Sequence, residues 1–256
     1  MHLSLLFSYP YVVGEINYKV LRLIQAVILT LILVVLIVLS LPAKVYAQGL
    51  NAKFDHLTVD DGLSQSCILD ILQDSQGFMW FGTQDGLNKY DGYKFTTYKY
   101  NELDEQSLSD NWITSIYQDK AGVIWMGTDG GGLNKFNPET EQFTRYNHDS
   151  NNPNSLGANR ILAIYEDQFD TLWIGTDGGG LNQLNRKTGE FIHYTHNPDD
   201  SNSLNNDTVL SIYEDQSGQF WIGTGGGGLN QFNRETGQFI HYTHNPDDSN
   251  SLNNDT

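Results

Sequence analysis

The sequence predicts an all-β repeat fold, and three observations carry the prediction. Trp80, Trp125, Trp173 and Trp221 recur at spacings of 45, 48 and 48 residues. Each sits in a matching phrase: FMWFGTQDGLNKYD, VIWMGTDGGGLNKFN, TLWIGTDGGGLNQLN, QFWIGTGGGGLNQFN. Around each phrase, short apolar and β-branched runs are separated by Gly, Asn and Asp, the composition of strands joined by tight turns. Four such runs per unit, at a period in the forties, describe the blades of a β-propeller. One four-stranded sheet leaves a face bare. Neighbouring units therefore stack, and the aromatic and branched positions become core between blades.

The third unit shows the division. Residues 159–165 (NRILAIY) are the first run, 171–176 (TLWIGT) the second, 181–185 the third and 190–195 (EFIHYT) the fourth. The turn between the first two runs opens with Asp in every unit: Asp74, Asp119, Asp167 and Asp215. An Asp side chain there bonds backbone N–H groups, and the fourth turn position calls for positive φ. That position is Gly77, Gly122 and Gly218 in three units and Asp170 in the other. Glycine runs join the second run to the third, where backbones crowd.

The predicted architecture is four complete four-stranded blades, at 64–100, 108–147, 156–195 and 204–244. Segment 48–63 holds an N-terminal closing strand and linker, because Phe54-Asp-His-Leu-Thr58 matches Phe191-Ile-His-Tyr-Thr195 in fourth-strand position. Segment 245–256 reads as the start of a further blade, with Thr256 matching Thr208. The stretches beginning at Thr188 and Thr236 differ only at Glu190 and Gln238, which suggests recent duplication. The expectation is a truncated larger propeller.

Residues 1–47 read as a signal peptide or an N-terminal membrane anchor. Lys19 and Arg22 precede an apolar run, Leu23 to Leu41, broken only by Gln25, Thr30 and Ser40. Pro42 and Val45-Tyr46-Ala47 follow, placing signal cleavage between Ala47 and Gln48. The run is also nearly as long as the roughly 20 residues that span a bilayer, so a retained anchor stays open. With the bases before the run, both readings put the remainder outside the cytoplasm, on the periplasmic side.

The net charge is −17, and −19 without the first 47 residues. Such a surface repels phosphate backbones and anionic lipid, so no nucleic acid is expected as partner, and membrane contact only through the N-terminal segment or parts beyond this sequence. A single cysteine, Cys67, excludes an intramolecular disulfide and reads as a small buried apolar residue.

The stretch from Phe54 to Tyr98, FDHLTVDDGLSQSCILDILQDSQGFMWFGTQDGLNKYDGYKFTTY, resembles the opening of the two-component regulator propeller family. The WIGTDGGGLN phrases resemble its repeating unit. The resemblance implies the extracytoplasmic sensor of a hybrid histidine kinase, or of a receptor with a diguanylate cyclase or DNA-binding output. It also implies an oligosaccharide among the expected ligands, further blades, a stalk, a membrane helix and a C-terminal signalling module. This sequence has no phosphoacceptor-histidine motif and no nucleotide-binding glycine boxes, so no kinase activity is expected of this chain.

No catalytic, metal or cofactor constellation is expected. GTDGGG is followed by no Lys-Ser or Lys-Thr and reads as turn geometry. His193 and His196, like His241 and His244, are three apart on a strand and face opposite sides. Asp199-Asp200-Ser201-Asn202 and Asp247-Asp248-Ser249-Asn250 lack the glycine and distant Glu of a calcium loop and read as Asx turns. Exposed aromatics can stack on small ligands. Trp112, Tyr93 and Arg160 are the expected ligand-binding residues, with Tyr98, Tyr100 and Tyr146 further candidates by composition. Trp112 stands out because its counterparts are Cys67, Arg160 and Thr208, a position that varies between units.

The expected function is thus a non-catalytic, extracytoplasmic ligand-sensing propeller of a two-component receptor. The alternatives are a freestanding exported propeller acting as a protein-interaction scaffold, with a homodimer among its assemblies, and a polysaccharide-acting enzyme. The enzyme would need paired carboxylates, or a His and a Tyr, converging on the central channel. The acids here lie mainly in repeat turns.

Overall fold

The computed structural model describes residues 27–31 and 54–255. The chain divides into two compact units, Met1–Asp55 and His56–Thr256. In the first, 27–31 are helical, and the rest of the expected signal or anchor, with its Ala47–Gln48 cleavage point, lies outside the described residues. Among the described residues no helix is long and apolar enough to cross a membrane.

The second unit contains four antiparallel sheets, each of four strands in chain order. Blade 1 is β1 (Ile68–Gln73), β2 (Met79–Thr83), β3 (Gly86–Tyr90) and β4 (Phe95–Tyr98). Blade 2 is β5 (Ile113–Gln118), β6 (Ile124–Thr128), β7 (Leu133–Asn137) and β8 (Gln142–Tyr146). Blade 3 is β9 (Ile161–Glu166), β10 (Leu172–Thr176), β11 (Leu181–Leu184) and β12 (Phe191–Tyr194). Blade 4 is β13 (Val209–Glu214), β14 (Phe220–Thr224), β15 (Gly228–Asn233) and β16 (Gln238–Tyr242). The first strands lie side by side, β1 to β5 to β9 to β13. The four predicted blades are all present.

The segment read as a closing strand has no partner sheet among the described residues. Residues 54–58 form no strand and lead into a single 3-10 turn, Val59–Asp61, capped by Thr58. A strand needs an edge to pair with. Each of the four sheets already has its own outer strand, so among the described residues no three-stranded sheet is left for 54–58 to complete.

The core sits between blades, as a stacked repeat requires. Trp80 and Leu87 of blade 1 pack with Ile113, Ile116, Met126 and Phe136 of blade 2. Trp125 and Leu133 pack with Ile161, Leu172 and Phe191 of blade 3. Trp173 and Leu181 pack with Val209, Phe220 and Phe232 of blade 4. The glycine of each W-x-G-T phrase makes this approach possible. A Cβ on Gly127 would stand 2.5 Å from Ile161 Cγ2, and one on Gly175 2.6 Å from Val209 Cγ1.

Linkers seal the outer edges. Leu108, Leu156 and Leu204 are fully buried plugs that precede blades 2, 3 and 4. Just before each plug, a linker carbonyl accepts an outer-strand N–H of the following blade: Phe143 N to Gln106 O (2.7 Å), Phe191 N to Asn154 O (2.8 Å), Phe239 N to Asn202 O (2.8 Å). These bonds occupy edge groups that would otherwise template pairing with another chain.

Candidate ligand-binding rim

One end of the strands gathers residues from three blades. Trp112, Arg160 and Thr208 each stand immediately before a first strand. Each gives its carbonyl to the loop that follows the second strand of its own blade: Asp129 N to Trp112 O (3.0 Å), Asp177 N to Arg160 O (2.9 Å), Gly225 N to Thr208 O (2.8 Å). The Asp side chains then cross to the next blade. Arg160 Nε lies 2.7 Å from Asp129 Oδ1, and its Nη1 lies 2.9 Å from Asp177 Oδ2. Thr208 Oγ1 donates to Asp177 Oδ1 at 2.8 Å. The outcome is a continuous chain, Trp112–Asp129–Arg160–Asp177–Thr208, across blades 2, 3 and 4. The hydrogen bond that Arg160 donates to Asp177 and the charge of Asp129 raise the Arg160 pKa above its ordinary value.

Trp112 is 41% exposed. Arg160 is half open to solvent, so its ion pairs add little stability. An open indole, a guanidinium and carboxylate oxygens can stack on a ring and hydrogen-bond its substituents. Among the described residues no cluster of three or more His, Cys, Asp or Glu could hold a metal ion.

Tyr93 belongs elsewhere. It is 95% exposed, in the turn between β3 and β4, with its N–H on Asp91 Oδ1 at 2.8 Å. The register sets Tyr90 opposite Met79 and Met79 opposite Gln73, the last residue of β1. Trp112 precedes Ile113, the first residue of β5. Tyr93 therefore lies at the opposite end of the strands from the Trp112–Arg160 rim, and the structure does not bring the three together. Tyr98 and Tyr146 pack on Trp80 and Trp125, and Tyr100 lies under the Arg145 guanidinium.

The histidines hold linkers. His193 Nε2 meets Ser155 O (2.7 Å), while His196 Nδ1 meets Leu204 O (2.9 Å). The two members of the His-x-x-His phrase thus serve different linkers; His196 lies beyond the end of β12, so the expected placement of both on one strand does not hold. In the acidic linker loops, Asp200 Oδ1 accepts Asn202 N and Asp248 Oδ1 accepts Asn250 N, both at 2.9 Å, which are Asx turns.

Sequence reasoning missed a second polar system at the far end. The turn Asp bonds backbone as predicted, with Asp167 Oδ1 accepting Phe169 N and Thr171 N at 2.9 Å each. Its other oxygen holds the blade's tryptophan: Trp80, Trp125, Trp173 and Trp221 Nε1 meet Asp74, Asp119, Asp167 and Asp215 Oδ2 at 2.8, 2.9, 3.0 and 3.0 Å. In two cases an arginine of the next blade joins them. Arg186 bridges Asp119 (2.8 Å) and Glu166 (2.5 Å), and Arg234 bridges Asp167 (3.1 Å) and Glu214 (2.6 Å). The signal was in the sequence. Asp stands six residues before every repeat Trp, and an Arg in the third turn (Arg186, Arg234) occurs only in units whose first strand ends in Glu. An open cleft of about 690 Å³ lies beside Arg234, with Phe169 and several carboxamides along it.

The description two component regulator propeller matches residues 62–85, 107–130, 155–178 and 203–226. This chain belongs to the two component regulator propeller family. Each match runs from the linker plug to the glycine loop, and so covers the elements that build the rim. A curated relative, histidine kinase P4 of Formosa agariphila, is 50% identical over 62 residues, which are 24% of this chain and 4% of that protein. Among solved structures, the extracellular domain of a B. thetaiotaomicron protein described as a hybrid two component system is 33% identical, with a TM-score of 0.67. The match covers 74% of this chain and 26% of that one. A second extracellular domain from that organism is 25% identical, with a TM-score of 0.62, covering 75% of this chain and 27% of that one. The chain thus spans about a quarter of the solved extracellular domains it resembles.

Proposed function

We propose that this chain is the ligand-sensing propeller region of an extracytoplasmic receptor of two-component type, and that it is not itself catalytic. One observation carries the reading: the position before the first strand varies between the blades of this chain, as Cys67, Trp112, Arg160 and Thr208, and it places Trp112 and Arg160 on one open rim. Packing fixes the repeat tryptophans and glycines. The rim position is free to answer to a ligand.

The relatives support the setting. They are described as extracellular domains of two component systems and as a histidine kinase. For this chain the setting is the periplasmic side of the inner membrane, reached through the apolar segment in residues 1–47 as signal or tether. The partner is an oligosaccharide or another small ligand. The output belongs to a signalling module outside this sequence.

Two measurements test the proposal. The melting midpoint of the purified chain is followed against neutral and anionic oligosaccharides, and the products are analysed. A dose-dependent rise with the sugar recovered intact is the expected result, and turnover of the sugar overturns the non-catalytic reading. Protease treatment of intact spheroplasts carrying the tagged chain is expected to cleave it. A chain that stays protected and unprocessed in the cytoplasm overturns the sensor reading.

A further inference from the structure

An exposed guanidinium ordinarily invites a carboxylate or a sulfate, which its paired N–H groups grip. Arg160 is not open in that sense. Its Nε lies 2.7 Å from Asp129 Oδ1 and its Nη1 lies 2.9 Å from Asp177 Oδ2, so two carboxylates already share one positive charge. A third acid adjoins Trp112. Asp110 Oδ1 accepts Trp112 N at 3.2 Å, and a Cβ on Gly130, in the loop after β6, would stand 3.2 Å from Asp110 Oδ2. Among the described residues Asp110 is in no ion pair. Lys99, beside the loop after β2, is likewise taken, by Asp85 at 2.7 Å.

The far end of the strands gives the contrast. The Asp119 and Asp167 side chains, which Arg186 and Arg234 hold there, are buried. Their charge is spent on joining blades. On the rim, the Asp129 and Asp177 side chains are 34% and 35% exposed, and the Trp112 indole beside them is open. Their charge therefore faces whatever approaches the indole.

We infer that the rim selects its ligand by charge: it takes a sugar ring without acid groups on the Trp112 face and turns away uronate and sulfate. The inference rests on the sensing reading above for what occupies the rim. Asp110, Asp129 and Asp177 stand against the single charge of Arg160. A unit charge within about 6 Å changes the local concentration of a small ion by roughly threefold in water, so an anion is thinned out beside this indole. A sugar hydroxyl instead donates to the carboxylate oxygens while the ring stacks on the indole. An amino group on the ring gains twice, from the carboxylates and from the indole face. Arg160 is then the positioning residue that holds Asp129 of blade 2 beside Asp177 of blade 3, with its remaining N–H groups left to donate to hydroxyls.

Trp112 reports the charge around it without any ligand. Its fluorescence is isolated as the difference between the full chain and its Trp112→Phe variant. Quenching by iodide and by acrylamide is measured at low ionic strength, each scaled to N-acetyltryptophanamide. Iodide is expected to quench Trp112 at least about threefold less than acrylamide does. Asp129→Asn with Asp177→Asn is expected to raise iodide quenching by about threefold, and Asp110→Asn gives the same readout where the double variant does not fold. Equal scaled quenching in the unaltered chain overturns the inference. So does an iodide value that these variants leave unchanged, because the repulsion would then belong to the chain as a whole. Neutral disaccharides, and the same disaccharides oxidised at C6 to uronates, are titrated in parallel. The unaltered chain is expected to bind the neutral form about tenfold more tightly or better, and the double variant to narrow that gap. Tighter binding of the uronate by the unaltered chain overturns the inference. Binding of neither form counts against the sensing reading alone, and the quenching still decides the charge of the rim.

Discussion

Arg186 Nη1 lies 2.8 Å from Asp119 Oδ2, joining the third turn of blade 3 to the first turn of blade 2 across 67 residues of sequence. The same oxygen accepts the Trp125 indole N–H at 2.9 Å. One buried carboxylate thus fixes a core tryptophan within its blade and the neighbouring blade beside it. Arg186 also meets Glu166 of its own blade, so its charge is shared between the two sheets it connects.

Arg186→Ala leaves the Asp119 carboxylate, whose side chain is fully buried, without its cation. Breaking a buried pair costs roughly 3–5 kcal/mol, and the partial exposure of Arg186 lowers the expected loss to about 2 kcal/mol. Urea unfolding of the full chain reads it. A change within error would show that the latch adds nothing to the stacking.

Asp74 carries the tryptophan bond but no arginine, because the position taken by Arg186 in blade 3 is Pro138 in blade 2. Asp74→Ala is therefore expected to destabilise less than Asp119→Ala or Asp167→Ala, by about 1–2 kcal/mol. Equal losses at the three positions would assign the whole effect to the Trp–Asp bond.

Gly127→Ala puts a methyl group 2.5 Å from both Ile161 Cγ2 and Ser115 Oγ. Overpacking of this kind costs roughly 1–3 kcal/mol. Ile161→Ala is itself destabilising, yet combining the two is expected to cost less than the sum, because the smaller side chain makes room. Strict additivity in a double-mutant cycle would contradict the close approach of blades 2 and 3.

Asp215 has its pKa lowered to about 2, first by the Ser217 hydroxyl and then by the Trp221 indole. A carboxyl whose folded pKa lies below its unfolded value of 3.8 favours the fold above that value. The contribution fades as pH falls from 3.8 through about 2. Ser217→Ala is expected to raise the Asp215 pKa and shift acid unfolding to slightly higher pH. NMR titration of the Asp215 carboxyl checks the first, and circular dichroism against pH the second.

The tryptophan period and the Gly, Asn and Asp between runs made the blades legible, because both report local geometry. Even the positive φ at Asp170, observed at 63°, follows from its place in a turn that is glycine elsewhere. Lys120 Nζ, 2.9 Å from Asp170 Oδ1, steadies that exception from the neighbouring blade. The latch was less legible because it is tertiary. Arg186 and Asp119 come together only once the blades stack, although the joint occurrence of Arg and Glu pointed there. Tyr93 was chosen by composition, and only the strand register separates it from Trp112. Residues 54–58 have the alternation of an outer strand, but alternation does not supply a partner.

The most direct test of the sensing account is a binding titration of Trp112→Ala, Arg160→Ala and Tyr93→Ala chains with the oligosaccharide that raises the melting midpoint. Losing an aromatic stack or a charged hydrogen bond at a site is worth roughly 1–2 kcal/mol, about tenfold in Kd. The account predicts that loss for Trp112→Ala and Arg160→Ala, and an unchanged Kd for Tyr93→Ala. Wild-type affinity in the first two variants, or loss confined to Tyr93→Ala, would contradict it and move the binding site off this rim.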